Sequence, residues 1–281
     1  MPAASDPVAE IVRKGAPDRY LAALYAPEGL RPDLLALAAF DVEVSRIRDL
    51  VSQALPGEIR LQWWREVVSG ERDGEAAANP VAAALLQAVS RHGLPRPALE
   101  AYLDARLFDL YDDPMPDRAT LEGYCGETDA ALFQLAVLVL DAAQAPATAE
   151  AAGHGGCALG IARMLRRLAQ TRARGQCFVP GDVLAAVGLD RDAFLAGREA
   201  ERMGAAVEAM LALGHEHLAA FRSHAGTLPA TVRPAFLPVA TVPAQLSAID
   251  REAWRAPPLD LSAIRRNWVI LRHAMRGWRR L

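Results

Sequence analysis

The chain contains few lysines, cysteines and aromatic residues. Among its 31 basic residues Lys14 is the only lysine, and aromatic residues make up 6% of the 281 positions. The formal net charge of -3 argues against a nucleic-acid-binding domain, which is normally basic. The three cysteines show no paired spacing, so we expect reduced thiols and no disulfide framework.

Long apolar runs and alternating strand patterns are also missing. The longest apolar run, residues 130–140, is interrupted by Gln134 and is too short to cross a bilayer. Residues 1–14 lack the apolar core of a secretory signal. These absences predict a soluble cytoplasmic protein, with attachment to the inner face of the membrane left open.

Apolar residues at helical spacing dominate what is present. One stripe follows a helix predicted between Pro32 and Pro56, and it consists of Leu37, Phe40, Val44, Ile47 and Val51. Similar patterns recur along the chain, and 52% of the residues are hydrophobic. We therefore predict an all-α protein with one domain over residues 1–281, a flexible start over 1–15 and a basic C-terminal helix over 262–281.

Several shorter segments carry more specific expectations. The polar, Gly-containing segment 71–80 is typical of a loop, and residues 153–156 (GHGG) of a turn at a helix start. The Pro-rich segment 229–243 suggests one kinked, buried helix. His215 and His217 lie two positions apart and point to different sides of a helix, so we do not expect them to bind a metal together.

Two segments show a resemblance to a known family. Residues 20–68 contain YLAALYAP, RPDLLALAAFDVEVSRIRDLVSQ and WWREVV, and residues 158–180 read ALGIARMLRRLAQTRARGQCFVP. They resemble the YAFCR, DxxxD, Trp-Arg and NILRDVxEDxxxGRxYLP segments of squalene and phytoene synthases. The resemblance covers most of the chain and implies the all-α isoprenoid-synthase helical bundle.

The acidic motifs of that family are altered here. In the family, carboxylates four residues apart hold Mg²⁺ ions that bind the substrate diphosphate. In register, the first DxxxD motif becomes Ser45 and Asp49, and the second becomes Arg167 and Thr171. A guanidinium about 5 Å from Mg²⁺ is repelled by roughly 6 to 7 kcal/mol at an effective dielectric constant of about 20. We therefore predict a catalytically degenerate member with no metal site, no cofactor and no catalytic residue.

The pattern is more similar still to one branch of the family, the assembly factor 6 proteins of respiratory complex I and their bacterial relatives. This resemblance implies a non-enzymatic assembly or binding factor. Its partners would be subunits or assembly intermediates of the membrane-bound respiratory complex. The alternative is a Mg²⁺-dependent head-to-head prenyltransferase acting on prenyl diphosphates through a shifted metal site.

Charged residues near the altered motifs leave two interpretations open. They are Asp41, Glu43, Arg46, Arg163 and Arg166. They could form a buried ion network, which the interleaving of acids and arginines favours, or bind a phosphate group directly. A lipid or prenyl ligand in the cavity of the fold is a further open question. Equally open is whether the basic C-terminal helix docks on the domain or lies on an anionic membrane.

Overall fold

The computed structural model describes residues 6–278, and within that range the chain forms helices and turns but no β-strand. The all-α prediction is therefore confirmed. Within the same range, none of the helices is long and apolar enough to cross a membrane.

The N-terminal half of the fold consists of short and medium-length helices. They are α1 (Pro7–Gly15), α2 (Pro17–Ala23), α3 (Arg31–Ser45), α4 (Ile47–Leu50), α5 (Ala54–Ser69), α6 (Asp73–Ala78), α7 (Pro80–His92) and α8 (Arg96–Leu107). Local sequence explains several of these boundaries. For example, the Asn79 side chain accepts hydrogen bonds from the first N–H groups of α7, and Gly93 ends that helix with a φ of 61°.

The C-terminal half contains the two longest helices. Its helices are α9 (Arg118–Cys125), α10 (Ala131–Asp141), α11 (Ala149–Arg166), α12 (Leu168–Ala173), α13 (Gly181–Ala186), α14 (Arg191–Ala196), α15 (Ala200–Ala225), α16 (Arg233–Phe236), α17 (Val242–Leu246) and α18 (Ala263–Arg276). A π-helical segment, Gly126–Ala130, joins α9 to α10.

Two hydrophobic cores meet at α10. Leu132, Leu135 and Val139 belong to the core formed by the N-terminal helices. Phe133 and Val137, on other sides of the same helix, belong to the core formed by the C-terminal helices. Because α10 contributes to both cores, it joins the two halves.

Helices α11 and α15 run antiparallel in close contact. A Cβ atom on Gly155 would lie 3.0 Å from Phe221, and one on Gly214 would lie 3.3 Å from Ile161. The glycines thus let the two helices approach closely, and they place the start of α11 beside the end of α15.

Two predicted irregular segments are helical. Residues 7–15, within the predicted flexible start, form α1, whose Val8 and Val12 are buried in the first core. Asp6 caps this helix by accepting a hydrogen bond from the Val8 N–H at 2.9 Å. The segment 71–80, predicted as a loop, contains α6, whose Ala76 is buried. Both predictions underestimated how a few buried apolar residues stabilise a short helix.

Three other boundaries also differ from the predictions. The predicted turn at 153–156 lies inside α11, where the glycines serve helix packing. Segment 229–243 is divided among α16, a 3₁₀ segment (Leu237–Thr241) and the start of α17, because its prolines interrupt α-helical hydrogen bonding. The basic C-terminal helix is present as α18, and residues 279–281 lie outside the described residues.

Candidate functional site

The two altered motif segments face each other across one cavity. Each segment contains a break between helices, since α3 ends at Ser45 before α4, and α11 ends one residue before Arg167. All four motif positions, Ser45, Asp49, Arg167 and Thr171, line the same cavity of about 80 Å³.

An ion pair joins the two motifs at the cavity rim. Arg167 Nη2 lies 2.7 and 2.8 Å from the two carboxylate oxygens of Asp49, and Arg174 donates a further hydrogen bond to that carboxylate. Partial burial opposes ionisation of Asp49, but the hydrogen bonds and charges of Arg174 and Arg167 outweigh it and lower its pKa. The remaining motif carboxylate is therefore held by the cation that occupies a motif position opposite.

The other two motif positions present hydroxyl groups. Thr171 is buried, and its Oγ1 donates to the helix carbonyls of Arg167 and Leu168, both at 3.2 Å. Ser45 ends α3 at the cavity wall. Neither side chain carries a negative charge that would offset the charge of a bound divalent cation.

Behind the rim, Asp41 of α3 forms a buried network of polar contacts with two residues of α8. Its Oδ1 accepts hydrogen bonds from the Tyr102 hydroxyl at 2.6 Å and from Arg106 Nη2 at 3.0 Å. Arg19 Nε lies 3.6 Å from the other carboxylate oxygen. Burial disfavours the charged carboxylate, but the charges of Arg19 and Arg106 overcome it and lower the pKa of Asp41.

A second buried carboxylate, Asp129, lies in the π-helical segment. It pairs with Arg163 from α11 at 2.8 Å and with Arg19 from α2 at 3.2 Å. Burial disfavours the charged Arg163, but the negative charge of Asp129 outweighs it, so the pKa of Arg163 is raised. These contacts connect α2, α11 and the π-helical segment through charge.

The structure brings only some of the predicted charged residues together. Arg163 and Arg167 line the cavity, and Asp41 lies directly behind it. Arg46 instead pairs with Glu43 at 3.4 Å on the outer side of α3, and Arg166 pairs with Asp260. Glu43 and Arg46 thus pair within the predicted set, whereas Asp41, Arg163 and Arg166 take partners that the sequence pattern did not single out.

Sequence reasoning missed several lining residues. Three lie outside the two motif segments, and the other three lie within the second segment but were not among the predicted site residues. They are Arg106, Asp109, Tyr124, Arg174, Gln176 and Phe178. One signal was available for Arg106. It occupies the same face of α8 as the buried residues Leu99, Tyr102 and Leu103, and a charged residue on a buried face predicts an ionic partner.

Charge and size define what the cavity can hold. Five arginines and two aspartates line it, so the lining is positive overall. Its volume of about 80 Å³ is well below the roughly 300 to 1,000 Å³ of usual small-molecule sites. A positively lined space of this size can hold a few waters or a small anion.

The basic helix α18 has a docked face and an exposed face. Ile270 and His273 are buried against the domain, and Arg266 pairs with Asp18 of α2 at 2.6 Å. The opposite face exposes an apolar stripe, which we call the α18 stripe and which consists of Ile264, Trp268, Leu271 and Met275. Docking on the domain and an exposed apolar surface therefore coexist on one helix.

The fold consists of packed helices, with two motif segments that face each other across a central cavity. This arrangement defines its class, the all-α isoprenoid-synthase fold. The sequence profile of the squalene/phytoene synthase family matches residues 12–266, and the chain belongs to this family. A dehydrosqualene synthase crystallised with a ligand superposes with a TM-score of 0.76 at 15% identity, covering 94% of this chain and 93% of that one. At this identity the similarity establishes the fold alone.

Curated relatives fall into two groups. NADH dehydrogenase (ubiquinone) complex I, assembly factor 6, of Rattus norvegicus is 32% identical over 242 residues, covering 86% of this chain and 72% of the rat protein. Presqualene diphosphate synthase of Rhodopseudomonas palustris is 29% identical over 147 residues, covering 51% of this chain and 52% of the synthase. The chain is thus similar both to a complex I assembly factor and to a presqualene diphosphate synthase.

Proposed function

We propose that this protein is a catalytically degenerate member of the squalene/phytoene synthase family that serves as an assembly factor for respiratory complex I. The Asp49–Arg167 ion pair is the observation that carries the proposal. It occupies the place where family enzymes carry facing carboxylates for Mg²⁺. The rat relative, named as an assembly factor for complex I, supports the role in assembly.

The physical argument rests on charge compensation. A Mg²⁺ ion near Asp49 would have to displace Arg167 and Arg174, and it would find hydroxyl groups or cations at the other motif positions. The cavity of about 80 Å³ offers little room for two prenyl chains, and the more open groove of about 510 Å³ beside it is lined by several charged residues, including Glu10, Lys14 and Arg46. We therefore assign the motif cavity no Mg²⁺ and no prenyl substrate.

Two measurements test this proposal together. Deleting the gene in its host should reduce the amount of intact complex I and the NADH:quinone activity of the membranes. Purified protein incubated with Mg²⁺ and farnesyl or geranylgeranyl diphosphate should release no diphosphate above a no-protein control. Normal complex I in the deletion strain would contradict the assembly role, and diphosphate release would contradict catalytic degeneracy.

Two point variants, each expressed in the deletion strain, make this test more specific. The variant Asp49→Asn removes the last motif carboxylate, and Asp104→Asn removes an exposed carboxylate on α8 that pairs with Arg65. Both variants should restore complex I as well as the wild-type gene does, because the proposed role needs no metal at the cavity rim. Failure of Asp49→Asn alone, with the protein folded and present, would indicate carboxylate chemistry at the rim.

We further propose that the protein works at the cytoplasmic surface of the membrane through α18. At about 100° per residue, the α18 stripe spans only about 60° of the helix surface. Ile264, Trp268 and Met275 are 83%, 65% and 73% exposed. Three exposed arginines, Arg265, Arg272 and Arg276, follow one flank of the stripe. Apolar residues beside a basic row suit insertion at an anionic lipid surface.

Vesicle sedimentation tests the membrane role. The full chain should bind vesicles containing phosphatidylglycerol more tightly than pure phosphatidylcholine vesicles, and added salt should weaken binding. The double variant Trp268→Glu and Met275→Glu should abolish binding. Ile59→Glu, at an exposed apolar residue of α5, is the matched control and should bind normally. Equal binding by the double variant would exclude the α18 stripe as the membrane contact.

A further inference from the structure

A histidine cluster lies away from the motif cavity, where α11 begins and α15 ends. Ligand atoms of Glu150, His154 and His224 all lie within 4.8 Å of one another. Glu150 and His154 are one helical turn apart on α11, and His224 lies in the last turn of α15. The antiparallel packing of these two helices brings the three side chains together.

A hydrogen-bonded chain behind the cluster orients His154. Its Nδ1 lies 3.1 Å from Nδ1 of His217, whose Nε2 lies 3.1 Å from Glu122 Oε1. The Glu122 carboxylate accepts a hydrogen bond from the Nε2–H group of His217. In a neutral imidazole the other nitrogen, Nδ1, is then unprotonated and accepts the hydrogen bond from His154. His154 Nδ1–H must then be the donor, so the lone pair of neutral His154 lies on Nε2.

The burial of His217 supports this proton arrangement. The side chain is 7% exposed, and its two ring nitrogens face only His154 and Glu122 among the hydrogen-bond partners of the described residues. Metal-binding histidines commonly have their second ring nitrogen held in this way by an outer partner, and such partners increase metal affinity.

The three groups face solvent and are available for a ligand. Glu150 and His224 are exposed and His154 is half-buried. Within the described residues, Glu150 makes no ion pair within 4.0 Å. Bonds of about 2.0 to 2.1 Å in a tetrahedral zinc site space the ligand atoms about 3.4 Å apart. Reaching that spacing takes shifts of about 1 Å in the ligand atoms and a rotation of the His224 ring, which stacks nearly parallel to that of His154 at a centroid distance of 6.0 Å.

We propose that Glu150, His154 and His224 form a binding site for a divalent transition metal, with Zn²⁺ as the best fit. Two imidazoles and one carboxylate are ligands that Zn²⁺ favours, whereas Mg²⁺ prefers oxygen ligands alone. Three protein ligands leave a fourth position for water. The metal joins the start of α11 to the end of α15, so binding stabilises the contact between the two longest helices.

Metal titration of the full chain tests the site. After treatment with a chelator, the protein should bind one Zn²⁺ in competition with a fluorescent zinc indicator. Its Tm should rise by about 5 °C at free zinc one hundred times Kd. His224→Gln and Glu150→Gln alter exposed residues and should weaken binding by tenfold or more. Glu122→Gln, which changes the positioning residue, should weaken it by about ten- to one hundredfold.

His215→Gln provides the matched control, because His215 is an exposed histidine on another side of α15. This variant should bind Zn²⁺ as the wild type does. Circular dichroism spectra should be the same for all variants, which separates loss of binding from loss of fold. Absence of saturable binding by the wild type, or binding that survives both His224→Gln and Glu150→Gln, would overturn the proposal.

Discussion

Aspartate–arginine ion pairs lie both at the rim of the motif cavity and in the protein interior behind it, and the two sets differ in their exposure to solvent. In the interior, Asp41 and Asp129 are 8% and 0% exposed at the side chain, and each is surrounded by arginines. At the rim, the Asp49 and Arg167 side chains are 32% and 35% exposed. Solvent screens the rim pair but not the interior pairs. Acids at the motif positions can therefore be replaced at little cost to the fold, whereas the interior charges cannot.

The largest expected effect comes from breaking the interior network. Asp41→Ala leaves Arg106 and Tyr102 buried without their shared acceptor. Removing one partner of a buried pair costs about 3 to 5 kcal/mol. Urea unfolding followed by circular dichroism measures this loss.

Asp49→Ala is the matched variant at the rim. It removes a carboxylate with two arginine partners, but solvent can replace them, so the expected loss is about 1 kcal/mol or less. Equal losses for Asp41→Ala and Asp49→Ala would remove the distinction between interior and rim.

Packing around the interior network gives the next largest effect. A Cβ atom on Gly156 would lie 2.5 Å from the backbone nitrogen of Ala130, in the π-helical segment that carries Asp129. Because backbone cannot easily move aside, Gly156→Ala should destabilise the protein by about 1 to 3 kcal/mol.

Gly153, on the same helix, is the control, since a Cβ atom there meets nothing within 4 Å. Gly153→Ala should stabilise the protein by about 0.5 to 1 kcal/mol, because alanine favours helix. Thermal unfolding of the two variants gives opposite shifts of Tm. A stable Gly156→Ala protein would show that the α11 contact with the π-helical segment can readily relax.

The interior was harder to predict from the sequence than the rim. Periodicity predicted the helical class, and the resemblance to squalene and phytoene synthases implied that Ser45, Asp49, Arg167 and Thr171 occupy the two facing motifs, which the structure places around one cavity. The buried face of α8 indicates that Arg106 has an ionic partner, but the sequence cannot identify Asp41 as that partner, because the two residues are 65 positions apart and no local pattern joins them. The sequence pattern likewise predicts a turn around His154, because the contacts of His154 with α15 come from tertiary packing and leave no local signal.

Reversing the charge of Arg167 also tests the difference between the rim and the interior, and its expected effect on stability is smaller. Arg167→Asp removes the ion pair and places a second carboxylate near Asp49. The expected loss is about 1 kcal/mol, because the site is partly solvated. Added Mg²⁺ should recover part of this loss by bridging the two carboxylates, whereas the wild type should show no such response.

Arg167→Asn is the control for this reversal, since it removes the cation without adding a carboxylate. Differential scanning calorimetry with and without Mg²⁺ distinguishes the two variants. A wild-type Tm that rises with Mg²⁺ through Asp49 would show that the rim already holds the metal.

The smallest expected effect concerns α18. Its docked face is buried like the interior ion network, but the titratable residue buried there, His273, is neutral. Burial beside Trp278 lowers the pKa of His273, and the charges of Arg272 and Arg222 add to this, although Nδ1 donates to the Val269 carbonyl at 2.8 Å.

In the unfolded chain the same imidazole takes up a proton near its ordinary pKa of about 6.5. The unfolded state therefore binds more protons below that pH. The stability that His273 contributes is complete above about pH 6.5 and is lost as pH falls toward the lower pKa of the folded state. Unfolding free energies measured between about pH 7.5 and 5.5 should decline more steeply for the wild type than for His273→Gln. Parallel declines would mean that α18 accommodates a charged imidazole, and that its docked face is solvated like the cavity rim.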